Sequence, residues 1–342
     1  MTRFAIRRAA QALPLLLVIS VVVFGLIHLV PGGPLALYLD NPNVRPADIE
    51  RLRRSLGLDR PLVEQYFRWL WAFVRGDWGY SYADGRAVAA RLAERLPATL
   101  ELVGASSLVA FVVALPVGVF AATRRGFDRI STAAAVGAIS LPVFWFGLLL
   151  QLGFANGLGW FPSSGRATYG VDSVGDRLAH LVLPAIVLAV VHVAAWSRYL
   201  RGSMREVLAL PFVRAARARG ADAWRVVVRH ALRNAAVPFV TVVLLDASIM
   251  ASGAVVTESV FAWPGLGSLF TEALAKRDYT VLMAFLMCAS VVVVVLNLLA
   301  DIAVHAIDPR ASLTLETAVA TPFALAYLIV LQVAGTRSEE HT

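Results

Sequence analysis

Residues 9–30 read AAQALPLLLVISVVVFGLIHLV, and Arg3, Arg7 and Arg8 precede them. An apolar run of about 20 residues is the length that crosses a bilayer as a helix. The charge pattern is that of a signal peptide. The run is longer than a signal-peptide core, though, and Val30-Pro31-Gly32-Gly33-Pro34 follows it as a helix breaker with no small-residue cleavage site. The segment therefore reads as an uncleaved first span.

Similar runs recur at Thr99–Ala122, Ser131–Phe154, Leu181–Ser197, Val237–Val256 and Val281–Ala300, the last extending past Asp301 to about Ile307. The fold class is thus all-α and integral to a membrane, with six transmembrane helices. A further apolar stretch, Ala318–Val333, is borderline in length and makes a possible seventh. Composition agrees: 58% of the 342 residues are hydrophobic and 16% charged, against roughly 25% charged in a soluble domain.

The expected organisation is residues 1–30 as the N-terminal segment and first span, 31–98 as a folded extracytoplasmic loop subdomain and 99–310 as the core of spans two to six. Within that core a basic loop covers 198–236, and 311–342 form a C-terminal extension. In the 31–98 region the pattern predicts helices over Pro46–Leu56 and Pro61–Val74, the second with Leu62, Tyr66, Trp69, Leu70 and Phe73 on one apolar face, and an amphipathic piece over Val88–Leu96. This subdomain is either a lid on the membrane surface or a docking site for an external protein.

Arginines set the orientation. Arg3, Arg7 and Arg8 precede span one, and Arg124, Arg125 and Arg129 separate spans two and three. Nine more (198, 201, 205, 214, 217, 219, 225, 229 and 233) lie between spans four and five. All fall on one side, so the positive-inside rule places that side and the N-terminus in the cytoplasm. The formal charge of +8 suits anionic lipid; no soluble basic domain exists to hold nucleic acid. Only Lys276 is a lysine, and it stands between Ala275 and Arg277. A phosphate-cradling GxxxxGK[ST] loop is therefore absent from this sequence. The single Cys288 allows no intrachain disulfide and no thiolate metal cluster.

The basic loop carries the most information. Leu210-Pro211-Phe212-Val213-Arg214-Ala215-Ala216-Arg217-Ala218-Arg219-Gly220 predicts a short, thin helix that another surface can approach closely, ended by a left-handed Gly220. Asp222 is placed to cap the next helix, in which Trp224, Val227, Val228 and Leu232 fall on one side and Arg225, Arg229 and Arg233 on the other. Such a loop either transmits motion into spans four and five or binds lipid headgroups.

Within the spans, Asp246 is a carboxylate at mid-bilayer, where insertion scales put its cost at about 2.5–3.5 kcal/mol, so it should line a pathway or meet a polar partner such as Ser248. Asn297 and Asp301 share a helix face and either hold helices together or line the inner gate, with packing the favoured reading. His28 and His192 read as isolated, hydrogen-bonded core residues. Beyond span five, Pro264, Gly265 and Gly267 predict a tight turn. The sequence shows no catalytic residues: neither a nucleophile elbow nor HExxH is present, and no metal-ligand cluster either.

The run AARARG followed by RHALRNAAVP resembles the EAA loop of ABC importer permeases, in the dipeptide and oligopeptide (peptide/nickel) branch. Ala216 and Gly220 stand at the motif's alanine and glycine, while Arg214 replaces an acid often found there. Val255-Val256-Thr257-Glu258-Ser259-Val260-Phe261-Ala262-Trp263-Pro264-Gly265-Leu266-Gly267 is similar to the branch's element outside span five. Gly57-Leu58-Asp59-Arg60-Pro61-Leu62, Gln65-Tyr66, Gly76-Asp77-Trp78-Gly79 and Asp308-Pro309-Arg310 match as well.

The resemblance implies a permease subunit with no cofactor on this chain. Its partners would be a second homologous permease, two ATPase subunits holding ATP and Mg, and an extracytoplasmic binding protein. It further implies ATPase coupling through Arg214, Ala215, Ala216, Arg219, Gly220 and Asp222, and an outer gate at Glu258, Phe261, Pro264 and Gly265 that faces the outer mouth; the pathway residue Asp246 rests on its mid-bilayer charge alone. Peptides are the branch's usual cargo; nickel chelates, glutathione and other small solutes are carried by related permeases. From the residues alone, a secondary transporter driven by an ion gradient is the rival reading. A membrane-embedded enzyme is a weaker rival, because Asp246 has no evident histidine partner.

Overall fold

The computed structural model describes residues 2–29, 35, 45–55 and 57–307. The helices are α1 (Thr2–Leu29), α2 (Pro46–Ser55), α3 (Leu62–Val74), α4 (Val88–Thr123), α5 (Arg125–Ser140), α6 (Val143–Leu150), α7 (Val174–Leu208), α8 (Pro211–Ala218), α9 (Arg233–Val260), α10 (Leu266–Ala275) and α11 (Tyr279–Ile307). A π-helical segment, Gln151–Gly157, extends α6. A helical turn at Ala223–Arg225 and a second π segment, Val226–Leu232, run without a break into α9. Ala318–Val333, Asp308-Pro309-Arg310 and the glycine-proline breaker after α1 lie outside the described residues.

Among the described residues five helices are long and apolar enough to cross a membrane, and a sixth crossing is made if α5 and α6 count as one. That pair is where the third span departs from expectation: the chain bends by 101° between them. The cause is local. Pro142 disfavours helical backbone at the residue before it, and Leu141 is extended at φ −84°, ψ 127°. The expected separate helix over Val88–Leu96 is also corrected, since those residues are the first turns of the 36-residue α4. Span five likewise begins earlier than its apolar run, because the helix that enters it starts at Ala223.

The chain forms two compact units. One comprises Ala98–Pro264 with the end of α11 from Leu296; the other comprises Thr2–Pro97 with Gly265–Val295. In the first unit α7 and α9 make the most extensive helix pair. Their shared core includes Trp196, Leu200, Met204, Phe239 and Met250, with Leu102 and Ala110 of α4 against it. α4 meets α7 through Gly118, where a Cβ would stand 2.9 Å from both the Ser197 carbonyl oxygen and Leu200 Cβ. Close backbone approach at small residues is how helices associate in lipid, where the hydrophobic effect gives them no reason to do so.

In the second unit α3 packs on α1. Phe24 stacks on His28 and meets Tyr66 edge-on, and an aromatic row continues through Trp69 and Phe73 to Trp78. Tyr66, Trp69, Leu70 and Phe73 thus occupy the expected inner face, whereas Leu62 is exposed. A cavity of about 300 Å3 lies beside this row, lined by Phe24, His28, Trp69, Trp78, Tyr82 and Met283 among others. Nearby, buried Arg91 donates to Ser81 Oγ at 3.0 Å and lies within 3.8 Å of Asp84, Glu272 and Asp278 carboxylates. A buried guanidinium is tolerated only when paired in this way.

Gly118→Leu is expected to destabilise the protein by about 1–3 kcal/mol through overpacking, read as a lower thermal midpoint in detergent. Gly104→Ala, where a Cβ meets open space, is expected to leave the midpoint unchanged or raise it.

Candidate functional site

Of the residues assigned to coupling, to the pathway and to the outer gate, all but Gly265 lie in the first unit. The arginine-rich loop folds as read, up to a point. Pro211 occupies the first turn of α8, where its missing N–H costs nothing. Gly220 adopts φ +81° and a Cβ there would meet open space. Asp222 caps the following helix, accepting from the N–H groups of Trp224 at 3.0 Å and Arg225 at 3.4 Å.

The faces differ from expectation. Val213 and Ala216 of α8 are buried against Val226, so Ala216 packs inward, while Phe212, Arg214, Ala215, Arg217 and Arg219 are exposed. In the next helix Trp224 and Val228 are exposed, and the buried positions are Val226, Val227, Ala231 and Ala235. The π segment explains the shift. An i→i+5 bonding pattern adds a residue to the turn, so the apolar stripe slips out of the 3.6-residue phase that the sequence suggested.

Asp246 has partners that the sequence reading missed. His192 Nδ1–H donates to its Oδ2 at 2.7 Å, and Trp196 Nε1–H donates to the same oxygen at 2.6 Å. A carboxylate only accepts, so both nitrogens carry the proton in these bonds. The half-buried acid is thus answered by two donors one turn apart on α7. Their i, i+4 spacing was a usable signal; what the sequence did not contain was that α7 would face α9 in this register. The Ser248 side chain lies outside the described residues.

Glu258 and Phe261 do not open onto a mouth in this chain; both are buried. Thr99 Oγ1 donates to Glu258 at 2.7 Å. Phe261 packs on Leu183 and Val187, above Gly147, where a Cβ would come within 3.3 Å of its ring. The turn after α9 is held by buried Trp263, whose indole N–H donates to the Ala98 carbonyl at 2.8 Å. Gln151 Nε2, also missed, donates to the carbonyls of Val260 at 3.0 Å and Ser163 at 2.8 Å. The turn's left-handed residue is Ala262 at φ 47°, not a glycine. Gly265, at φ −102° and ψ −172°, instead precedes α10 as its N-cap.

Asp128, at the start of α5, is a third acid the sequence did not mark. It accepts from Arg201, and from Arg205 at 2.7 Å, both near the end of α7. Two of the loop's nine arginines are thereby paired within the chain. Among the described residues no group of three or more His, Cys, Asp or Glu could hold a metal ion.

Asp246→Leu is expected to strand two N–H donors and to cost about 1–3 kcal/mol for each. Asp246→Asn keeps an acceptor and should cost clearly less; the order of the two thermal midpoints checks the pairing.

The described helices resemble a solved structure of the MetNI methionine ABC transporter in inward-facing form, with a TM-score of 0.52 and 22% identity, covering 63% of this chain and 95% of that one. In sequence, the oligopeptide transport system permease protein AppB of Bacillus subtilis is 39% identical over 315 residues, 91% of this chain and 99% of its own length. A putative peptide permease protein of Brucella suis is 40% identical, covering 92% of this chain and 100% of its own. The dipeptide transport system permease protein DppB of Escherichia coli K12 is 34% identical, covering 91% and 98%. Residues 1–103 match the N-terminal family of binding-protein-dependent transport membrane components. Residues 114–313 match the main family description, and the chain belongs to that family, the binding-protein-dependent transport system inner membrane components, as a multi-pass permease subunit.

Proposed function

We propose that this chain is one half of the pore of an ATP-driven importer of peptides, with its N-terminus and arginine-rich loop in the cytoplasm. The observation that carries the reading is α8. It is a short helix locked to its own chain through Val213 and Ala216, and it presents Phe212, Arg214, Ala215, Arg217 and Arg219 outward. A partner surface can seat on that face beside Gly220, whose surroundings are open. Displacement of α8 passes through the Asp222 cap into the rod that becomes α9, and through Leu208 into α7. The partner is an ATPase subunit, two per transporter, holding ATP and Mg; a second homologous permease completes the pore, and an external binding protein delivers cargo. Peptide cargo is supported by the names of the relatives above.

Asp246 lines the pathway in this reading. Its Oδ1 takes part in neither the His192 nor the Trp196 bond and stays available to a polar or cationic group in transit. Glu258, Phe261, Pro264 and Gly265 act as the outer gate by holding a turn closed, through Thr99 and the Trp263 anchor, rather than by lining a mouth.

Proteoliposomes containing the assembled transporter and its binding protein should take up labelled dipeptide with ATP and not with a proton gradient alone; the reverse dependence overturns the reading. Gly220→Trp, forced into a left-handed conformation that β-carbon residues avoid, should abolish uptake while ATP hydrolysis continues. Normal uptake by this variant would remove the coupling role from α8. Asp246→Asn should reduce uptake more than it reduces assembly.

A further inference from the structure

α3 is apolar on more than one side. Tyr66, Trp69 and Phe73 turn toward α1 and Trp78. On an adjoining arc, Val63, Phe67, Trp71 and Val74 are spaced four, four and three apart and are 68%, 62%, 60% and 71% exposed. Only a narrow stripe is charged, where Glu64 pairs with Arg60 and with Arg68. At 100° per residue the apolar arc covers roughly 200° of the helix, far more than one packing partner needs.

The depth of α3 is fixed by its contacts. Tyr66 Oη and Ser20 Oγ are hydrogen-bonded at 2.8 Å, Phe24 meets Tyr66 and Trp69, and His28 Nε2 lies 3.2 Å from Gln65 Oε1. Ser20 is nine residues before Leu29, the end of a 20-residue apolar window beginning at Ala10. At 1.5 Å per residue it sits roughly 13 Å inside a span about 30 Å long. α3 therefore crosses α1 beside its hydrocarbon-spanning half, not above it. Leu17, Val18 and Val21 on α1 are exposed apolar residues of the same span, at the depth where α3 presents its own exposed apolar face.

We propose that α3 is embedded in the leaflet entered by the C-terminal half of α1, with Val63, Phe67, Trp71 and Val74 against phospholipid acyl chains. On the orientation proposed above this is the outer leaflet. The Arg60–Glu64–Arg68 stripe faces the headgroups, and the Arg75 guanidinium, stacked 4.4 Å over the Trp71 ring, reaches the phosphates as arginines do at membrane interfaces. The occupant of this face is the bilayer and not an external protein.

Nitroxide accessibility tests this in the full chain, reconstituted in phosphatidylcholine nanodiscs in a Cys288→Ser background. Labels at Phe67→Cys and Trp71→Cys should show an oxygen-to-nickel-chelate accessibility ratio severalfold above that of Arg68→Cys and similar to that of Val21→Cys. Ratios at 67 and 71 equal to that at 68 overturn the proposal. So does chelate access that is lost only on adding the external binding protein, the result for a protein-docking face. Without labels, lipids brominated on their acyl chains should quench a part of the tryptophan emission that disappears in Trp71→Phe; identical quenching in the two proteins also overturns it.

Discussion

A charge in hydrocarbon must be answered by another polar group, and in this protein the answers come from distant helices. Asp246 on α9 takes two N–H donors from α7 on one oxygen. Because apolar helices in lipid gain little by leaving it for one another, hydrogen bonds and close backbone contacts decide which faces meet. The Asp246 pair sets the register of α7 against α9, and the core around Trp196 and Phe239 follows from that register. Glu258 with Thr99 joins α9 to α4, and Asp128 with Arg201 and Arg205 joins α5 to α7. Three carboxylates thus tie together four helices of the first unit.

The same bonds suit a part that moves. From Ala223 to Val260 the backbone is one continuous helical rod. Its first end is capped by Asp222 beside α8, Asp246 lies along its length, and Glu258 and the Trp263 turn close its other end. In the proposed mechanism a push on α8 acts on a lever whose far end is held by a few hydrogen bonds and one left-handed alanine. The π segment at Val226–Leu232 is the place in the rod where backbone bonding is least regular, and such segments recur at functional sites in helices.

Several features were legible in the sequence because they depend on neighbours along the chain. Gly220 took its left-handed conformation and Asp222 its cap because each needs only the next few residues. The Pro142 bend was written in the sequence as well, yet a hydropathy run reads across a proline without registering it. The helix faces after Asp222 were not legible, since phase counting assumes 3.6 residues per turn and the π segment breaks that count. Asp128 escaped notice among arginines, as nothing local shows that Arg201 and Arg205 lie above it.

The sequence by itself determined that this is a helical membrane protein, where its apolar segments lie and which loop is basic. Those properties follow from segment length, composition and local backbone preference. Only the tertiary structure decided that Asp246 belongs to His192 and Trp196, that Glu258 and Phe261 are buried rather than facing a mouth, and that α3 crosses α1 beside Ser20. Each of these depends on which helix faces meet, and in apolar segments nearly uniform around their circumference hydropathy does not distinguish one face from another. A few polar atoms make that choice, and their partners lie about 50 to 160 residues away for the two carboxylates and 46 for Ser20.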